Sequence, residues 1–218
     1  MIKTVISPTI KAACPNIKLG IITAEVQIEE SSLALKQEIQ QTTSLLSEIT
    51  AEEVRNHPVI KASKSAYKSL GKDPNRYRLS AEALMRRMVK SQDLYLINNM
   101  VDIINLTSLR SGFSIGGYDL DMIKGEVELD HGKADVAYQA IGRGVLNIEF
   151  LPVLHDHEGA FGSPTSDSVR TSIGDGCQQV ALFFFDFEPE GLLDDALSEI
   201  TQLMTAFAGA KNIQQVII

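Results

Sequence analysis

Residues Tyr95 to Phe113, "YLINNMVDIINLTSLRSGF", carry apolar side chains on nearly every side of a helix, so any fold containing them must bury the segment on most of its faces. Within it Asn98, Asp102 and Asn105 recur at spacings of four and three, which stacks three polar side chains into one stripe. A buried amide or carboxylate without a hydrogen bond costs about 1–3 kcal/mol, so the stripe must meet partners in the fold or on a ligand. Two readings stand: the stripe ties the helix to the turn at "GGYDLD" or to strand ends, or part of it faces a pocket.

The flanking sequence supplies the elements that cover such a helix. "KLGIITAEVQI" alternates and is rich in Ile, Val and Thr, which predicts a strand from Leu19 to Ile28. Ser31 or Ser32 then offers a cap for a helix with Leu35, Ile39, Leu45, Leu46 and Ile49 on its buried face. Thr50 and Glu53 stand at capping-box spacing ahead of a second, short helix. "HPVIKASKSAYKSLGKDPNRYRLSAEALMRRMVKS" divides at Gly71 and Pro74 into two helices, the second capped by Ser80. Beyond Gly112 the texture changes. "GEVELDHGKADVAYQAIGRGVLNIEFLPVL" has short alternating runs broken by Gly132, Gly142 and Gly144, as in antiparallel strands with tight turns. "QQVALFFFDF" is too densely apolar for an exposed edge and predicts a central strand. "EGLLDDALSEITQLMTAFAGA" reads as an amphipathic helix and "NIQQVII" as a final strand. The expected organisation is one domain over 1–218, with a helical part at 31–112, a sheet-rich part at 113–189 and a C-terminal helix at 190–210. That order predicts an α+β fold with a mixed or antiparallel central sheet and helices packed on it.

Apolar residues at 44% and charged residues at 22% of the 218 exclude disordered and collagen-like chains. No run approaches a membrane span and "MIKTVISPTIKAACP" lacks a long apolar core, so a soluble, cytoplasmic protein without membrane partners is expected. Cys14 and Cys177 are far apart and have no zinc-like spacing, and no cofactor is implied. The net charge of −8 is unevenly spread. Lys61 to Lys90 holds nine basic residues against Asp73 and Glu82, leaving the rest of the chain near −15. This island, with Tyr67 and Tyr77 inside it, has the composition of a surface that tracks phosphates and stacks a base, and equally that of a solvated helix pair. Lys61, Lys64, Lys68 and Lys72 recur every three or four residues and make one face.

The segment "HDHEGAFGSPTSDSVRTSIGDG" is the densest collection of functional groups. His155 and His157 would share a face of an extended strand, but no third ligand is fixed, so a solvated turn is expected there rather than a metal site. Gly162, Ser163, Thr165, Ser166, Asp167, Ser168 and Arg170 form a polar loop able to wrap a carboxylate, an amine or a ribose, with Arg170 as a planar donor fork, or to fold as plain turns. There is no nucleophile elbow, and "GRG" at Gly142 to Gly144 is too short to count as a phosphate-binding fingerprint.

The stretch "NNMVDIINLTSLRSGFSIGGYDLD", Asn98 to Asp121, resembles the B3/B4-type tRNA-editing domain of the beta subunit of bacterial phenylalanyl-tRNA synthetase, through its double Asn, the Val-Asp-Ile that follows, Asn105 and the closing "YDLD". "AYKSLGKDPNRYRLSAEALMRR" is more similar to free-standing relatives of that domain. The resemblance implies a fold and a pocket that binds the 3′ end of mischarged tRNA. It places the family's pocket Asn on Asn105, and its His, Arg, Thr and Glu on Gly116, Tyr95, Ile104 and Phe183, so only Asn105 matches in kind. The expected substrate-binding residues are Asn105, Gly116, Gly117, Ser163, Ser166, Asp167 and Arg170, with backbone N–H groups near Gly116 and Gly117 as donors to an oxyanion. The expected RNA-binding residues are Lys61, Lys64, Lys68, Lys72, Arg76 and Arg78. Two functions are carried forward: a stand-alone editing-like domain that binds aminoacyl-tRNA and hydrolyses it in trans, and a non-catalytic module for an amino acid or small metabolite.

Overall fold

A computed structural model of the chain describes residues 1–90, 93–188 and 191–218. In order the elements are β1 (Thr4–Ile6), α1 (Pro8–Ala13), β2 (Lys18–Glu25), α2 (Leu33–Leu46), α3 (Ala51–Asn56), α4 (Pro58–Ser69), α5 (Ser80–Val89), α6 (Asn99–Ser111), β3 (Ile115–Asp119), β4 (Val127–His131), β5 (Gln139–Ala140), β6 (Gly144–Val145), β7 (Pro152–Asp156), β8 (Gly159–Gly162), β9 (Gln179–Asp186), α7 (Leu193–Phe207) and β10 (Lys211–Ile217). Short 3-10 turns lie at Leu120–Met122 and Val169–Thr171.

The architecture is α+β. The central sheet, ordered β10-β2-β9-β3, is antiparallel throughout. A second sheet, β1-β4-β7-β8, is antiparallel except where β1 runs parallel to β4. β9 is apolar without a polar face because it serves two cores at once. Val180, Leu182 and Phe184 face helices α2, α6 and α7, while Ala181, Phe183 and Phe185 pack with Leu129, Leu154 and Phe161 of the second sheet and Ile10 of α1. A third core joins Ile60 and Tyr67 of α4 and Met85 and Met88 of α5 to Tyr138, Ile148 and Val153. β1 and α1 are not expected from the sequence, since pieces of three and six residues are too short to show a period. Among the described residues no helix is long and apolar enough to cross a membrane.

Several boundaries move for identifiable reasons. In α2 the buried row is Leu35, Ile39 and Thr42, and Leu45 is 69% exposed. At roughly 100° per residue Leu45 lies about 80° off the line that Leu35 starts. Ser80 does not cap α5 but is its first residue, and the helix-opening N–H groups of Ser80 and Ala81 go to the Pro164 carbonyl (2.8 Å) and Ser114 Oγ (3.4 Å). The expected ends of helices at Ser91 and Glu190 lie outside the described residues.

The opening helix is shorter than the apolar stretch. α6 begins at Asn99, and Asn98 is its cap, accepting from the Val101 N–H at 2.9 Å. Asp102, with none of its surface exposed, accepts from Ser31 Oγ (2.5 Å) and the Ile97 N–H (3.0 Å). Burial raises its carboxyl above the usual range, against those two hydrogen bonds. The tie therefore runs to the segment before α2 and not to the "GGYDLD" turn. The spacing does not single out Asn99, yet its amide donates to the Gln27 (2.8 Å) and Phe207 (3.0 Å) carbonyls and its oxygen accepts from the Glu29 N–H (3.1 Å). It fastens the helix start to the ends of β2 and α7.

Candidate functional site

Between α5, α6, β3 and the loop 163–173 lies a cavity of about 910 Å³. One face of α6 contributes Val101, Ile104, Asn105 and Ser108, residues three, one and three apart that share a side of the helix. β3 adds Ile115 and Gly117, and the loop adds Ser163, Thr165, Ser166 and Asp167. A more open depression of about 750 Å³ lies along α2, lined by Gln37, Gln40, Gln41, Ser44 and Leu45, and offers no charged group.

The loop is a built wall. Ser163 Oγ accepts from the Thr165 and Ser166 N–H groups (3.3 and 3.2 Å) and donates to the Ser166 carbonyl (2.9 Å), which also receives the Tyr138 hydroxyl (2.8 Å). Thr165 Oγ1 and the Tyr67 hydroxyl are 2.9 Å apart. Asp167 Oδ1 accepts from the Tyr118 hydroxyl at 2.5 Å. That hydroxyl passes between Gly116 and Gly162, where a Cβ on either glycine would overlap it. Enclosure pushes the Asp167 carboxyl up to about 7, against the Tyr118 hydroxyl and the Gly117 and Ser163 N–H groups that pull it down.

Of the expected substrate-binding residues, Asn105, Gly117, Ser163, Ser166 and Asp167 lie on the cavity wall. Gly116 and Arg170 do not. Gly116 faces Tyr118, and Arg170 is held bidentately by Asp156 (2.8 and 3.0 Å) and by Glu158 (3.2 Å), because a buried carboxylate within reach of a guanidinium fork is a stronger partner than open space. Gly117 stands beside Asp167, whose carboxyl its N–H helps to hold down. Asn105, by contrast, makes no side-chain hydrogen bond among the described residues, and its amide is left to whatever enters. Of the positions to which the resemblance assigns other pocket groups, Tyr95 and Ile104 line the cavity. Gly116 and Phe183 pair in register and sit on the opposite side of the sheet.

The basic island does not form the continuous face its spacing suggests. Lys72 is only 6% exposed and donates to the Asn147 and Glu149 carbonyls, and Lys64 pairs with Glu82 at 3.2 Å. Glu82 is buried and also takes Arg86 at 2.8 Å. Tyr67 is a core residue. Lys61, Lys68 and Arg76 remain in solvent, and Arg78 reaches the cavity. There it is joined by Arg86, Arg87 and Lys90 from α5 and by Arg143 from the tip of the β5–β6 hairpin, inside the "GRG" that is too short to signal a site by itself. Asp167 is the only acidic side chain on the cavity among the described residues. Tyr95, 70% exposed at the edge, has the Arg87 guanidinium 4.1 Å from its ring centre. Sequence reasoning misses Arg143 as a site residue because what brings it in is the folding of a hairpin, while Tyr95 enters beforehand only as the position that the resemblance gives to a pocket Arg. His155 has a buried Nε2 without a partner, and among the described residues no group of three His, Cys, Asp or Glu side chains is arranged to hold a metal.

An N-terminal fragment of the phenylalanyl-tRNA synthetase beta-subunit from Pyrococcus horikoshii, known from its crystal structure, superimposes on 99% of this chain with a TM-score of 0.51 at 13% sequence identity. The chain spans about half of that one, 53% of its length, and the likeness is one of fold. No curated protein matches the sequence. The B3/4 domain profile matches residues 62–208, from inside α4 through the cavity walls to the end of α7, and the chain therefore belongs to the B3/4 domain family.

Proposed function

We propose that the cavity binds the aminoacylated 3′ end of a tRNA and that the chain hydrolyses the aminoacyl ester in trans. The observation that carries the reading is the charge arrangement: five cationic side chains and a single, enclosed carboxyl around one cavity of about 910 Å³. Phosphates are the common polyanion that such a ring attracts, and Tyr95 under Arg87 is an exposed stacking surface of the kind that receives a terminal base. Hydrolysis of an activated ester needs an oriented acyl group, a water and a donor to the developing oxyanion. The free amide of Asn105 fits the last role, and catalysis rests on positioning. The test is a panel of mischarged tRNAs incubated with the protein, with amino acid release as the readout. At least one should be deacylated, and Asn105→Ala should slow release by about a hundred-fold or more, the range typical of losing one oxyanion donor, while tRNA binding persists.

A second reading, binding without hydrolysis, is favoured by Gly116, Tyr95 and Phe183, which carry none of the ionisable groups that the resemblance places there. Binding of tRNA with no release from any mischarged species would select it.

A further inference from the structure

Resting on the proposed function, the geometry points to a fixed polarity for the ligand: the aminoacyl group enters amine-first, its α-ammonium is received by the Asp167 carboxyl, and its phosphate stays at the ring of cations. Asp167 is thereby a specificity-determining residue that selects a free α-amine.

Three observations lead there. The charges are segregated by depth. Arg78, Lys90 and Arg143 are exposed, and Arg86 and Arg87 half-exposed, whereas the Asp167 carboxyl is closed in by Tyr118 and the Ser163 loop while still bordering the cavity. The carboxyl is also uncompensated. Its one side-chain partner among the described residues is the neutral Tyr118 hydroxyl, no described cation stands within ion-pair distance of it, and Arg170, three residues further along the chain, is committed to Asp156. A carboxyl enclosed without a counter-ion keeps its proton toward neutral pH, and a ligand ammonium supplies the counter-ion that lets it ionise. Lastly, the same carboxyl is held in place. The Tyr118 ring is buried between Phe161 (4.9 Å) and Phe183 (5.8 Å), and its hydroxyl fixes Oδ1, which restricts how the group can turn against the cavity. A simple amine would be repelled by five cations before reaching it, so the ligand must carry its own anion, as an aminoacyl nucleotide does.

The probe is 3′-(L-alanylamino)-3′-deoxyadenosine 5′-phosphate, whose amide resists hydrolysis, compared with its N-acetyl derivative by calorimetry at low salt. The free amine should bind the wild-type chain about ten-fold or more tightly than the N-acetyl form, the factor expected for one charge-assisted hydrogen bond. Asp167→Asn, which keeps the size and the Tyr118 hydrogen bond, should remove that preference and leave the N-acetyl form bound as before. Equal binding of both forms to the wild-type chain overturns the assignment of Asp167 while leaving the RNA-end reading intact. Binding of neither form, nor of any aminoacyl-tRNA, removes the RNA-end reading and this inference with it. The wild-type comparison decides the matter even if the variant fails to fold.

Discussion

An aspartate that holds its proton near pH 7 makes stability depend on pH in a direction opposite to the usual one. Asp167 titrates near 3.8 in an unfolded chain and near 7 in the fold, so between about pH 4 and 7 the native state binds more protons than the unfolded state. Stability from this group is therefore full at the acid end of that window and is lost as pH rises through 7. Asp102 and Asp186, both raised by burial, act in the same sense, whereas His57 and His155, both lowered by burial, gain stability as pH rises toward neutrality. The groups facing Asp167 itself are Tyr118 and Tyr138, whose hydroxyls burial raises well out of this range, so they stay neutral. Urea unfolding of wild type and Asp167→Asn from pH 4.5 to 7.5 should show the difference between the two falling steadily with pH, the variant gaining relative to wild type. A difference that stays constant would mean that the carboxyl titrates normally.

At the scale of elements, α6 is held by what lies at its two ends more than by its own propensity. Its C-terminus closes on Gly112 in the left-handed region at φ +79°, and a Cβ there would run into the His57 ring at the start of α4. Gly112→Ala should cost about 1–2 kcal/mol for the backbone alone, with the displaced imidazole adding to it, read as a lower urea midpoint at unchanged slope. This stop is legible in the sequence, as are the Thr50–Glu53 capping box, the central position of β9 and the α+β order, because each depends on neighbours within a few residues or on dense apolar character. The cavity wall is partly legible: Asn105 through its helical phase, and the Ser163 loop through its composition. What the sequence does not disclose depends on meetings across the fold. Arg170 finds Asp156 only because β7 and β8 fold back on each other, Lys72 is drawn into a carbonyl cradle at 147–149, and Asn99 outranks Asn98 as a fastener because β2 and α7 end beside it. No periodicity encodes such encounters.

For the whole molecule, the redistribution of the basic island changes which charges the proposed function would use to hold a tRNA. The spacing in α4 points to Lys64 and Lys68, but Lys64 neutralises buried Glu82, and a Glu in its place would damage the fold before it tested anything. The cavity-centred arrangement points instead to Arg87 and Lys90. Charge reversal of this pair should weaken tRNA binding at low salt and flatten the log–log salt dependence by about 0.7 for each phosphate no longer neutralised, whereas reversal of Lys61 and Lys68 should do so less. The reverse order of effects would place the RNA on α4 and away from the cavity. A different consequence follows from the pairing of β2 with β9, Lys18 opposite Asp186 and Glu25 opposite Gln179. The ribosome delivers β2 early and its partner only after more than 150 further residues, a wait on the order of ten to thirty seconds at usual elongation rates. Throughout it Leu19, Ile21 and Ile22 belong to a strand with neither neighbour, since β10 comes later still. Nascent chains arrested before Val180 should therefore remain protease-sensitive at β2 and bind chaperones, and become resistant only when Ile217 has cleared the exit tunnel.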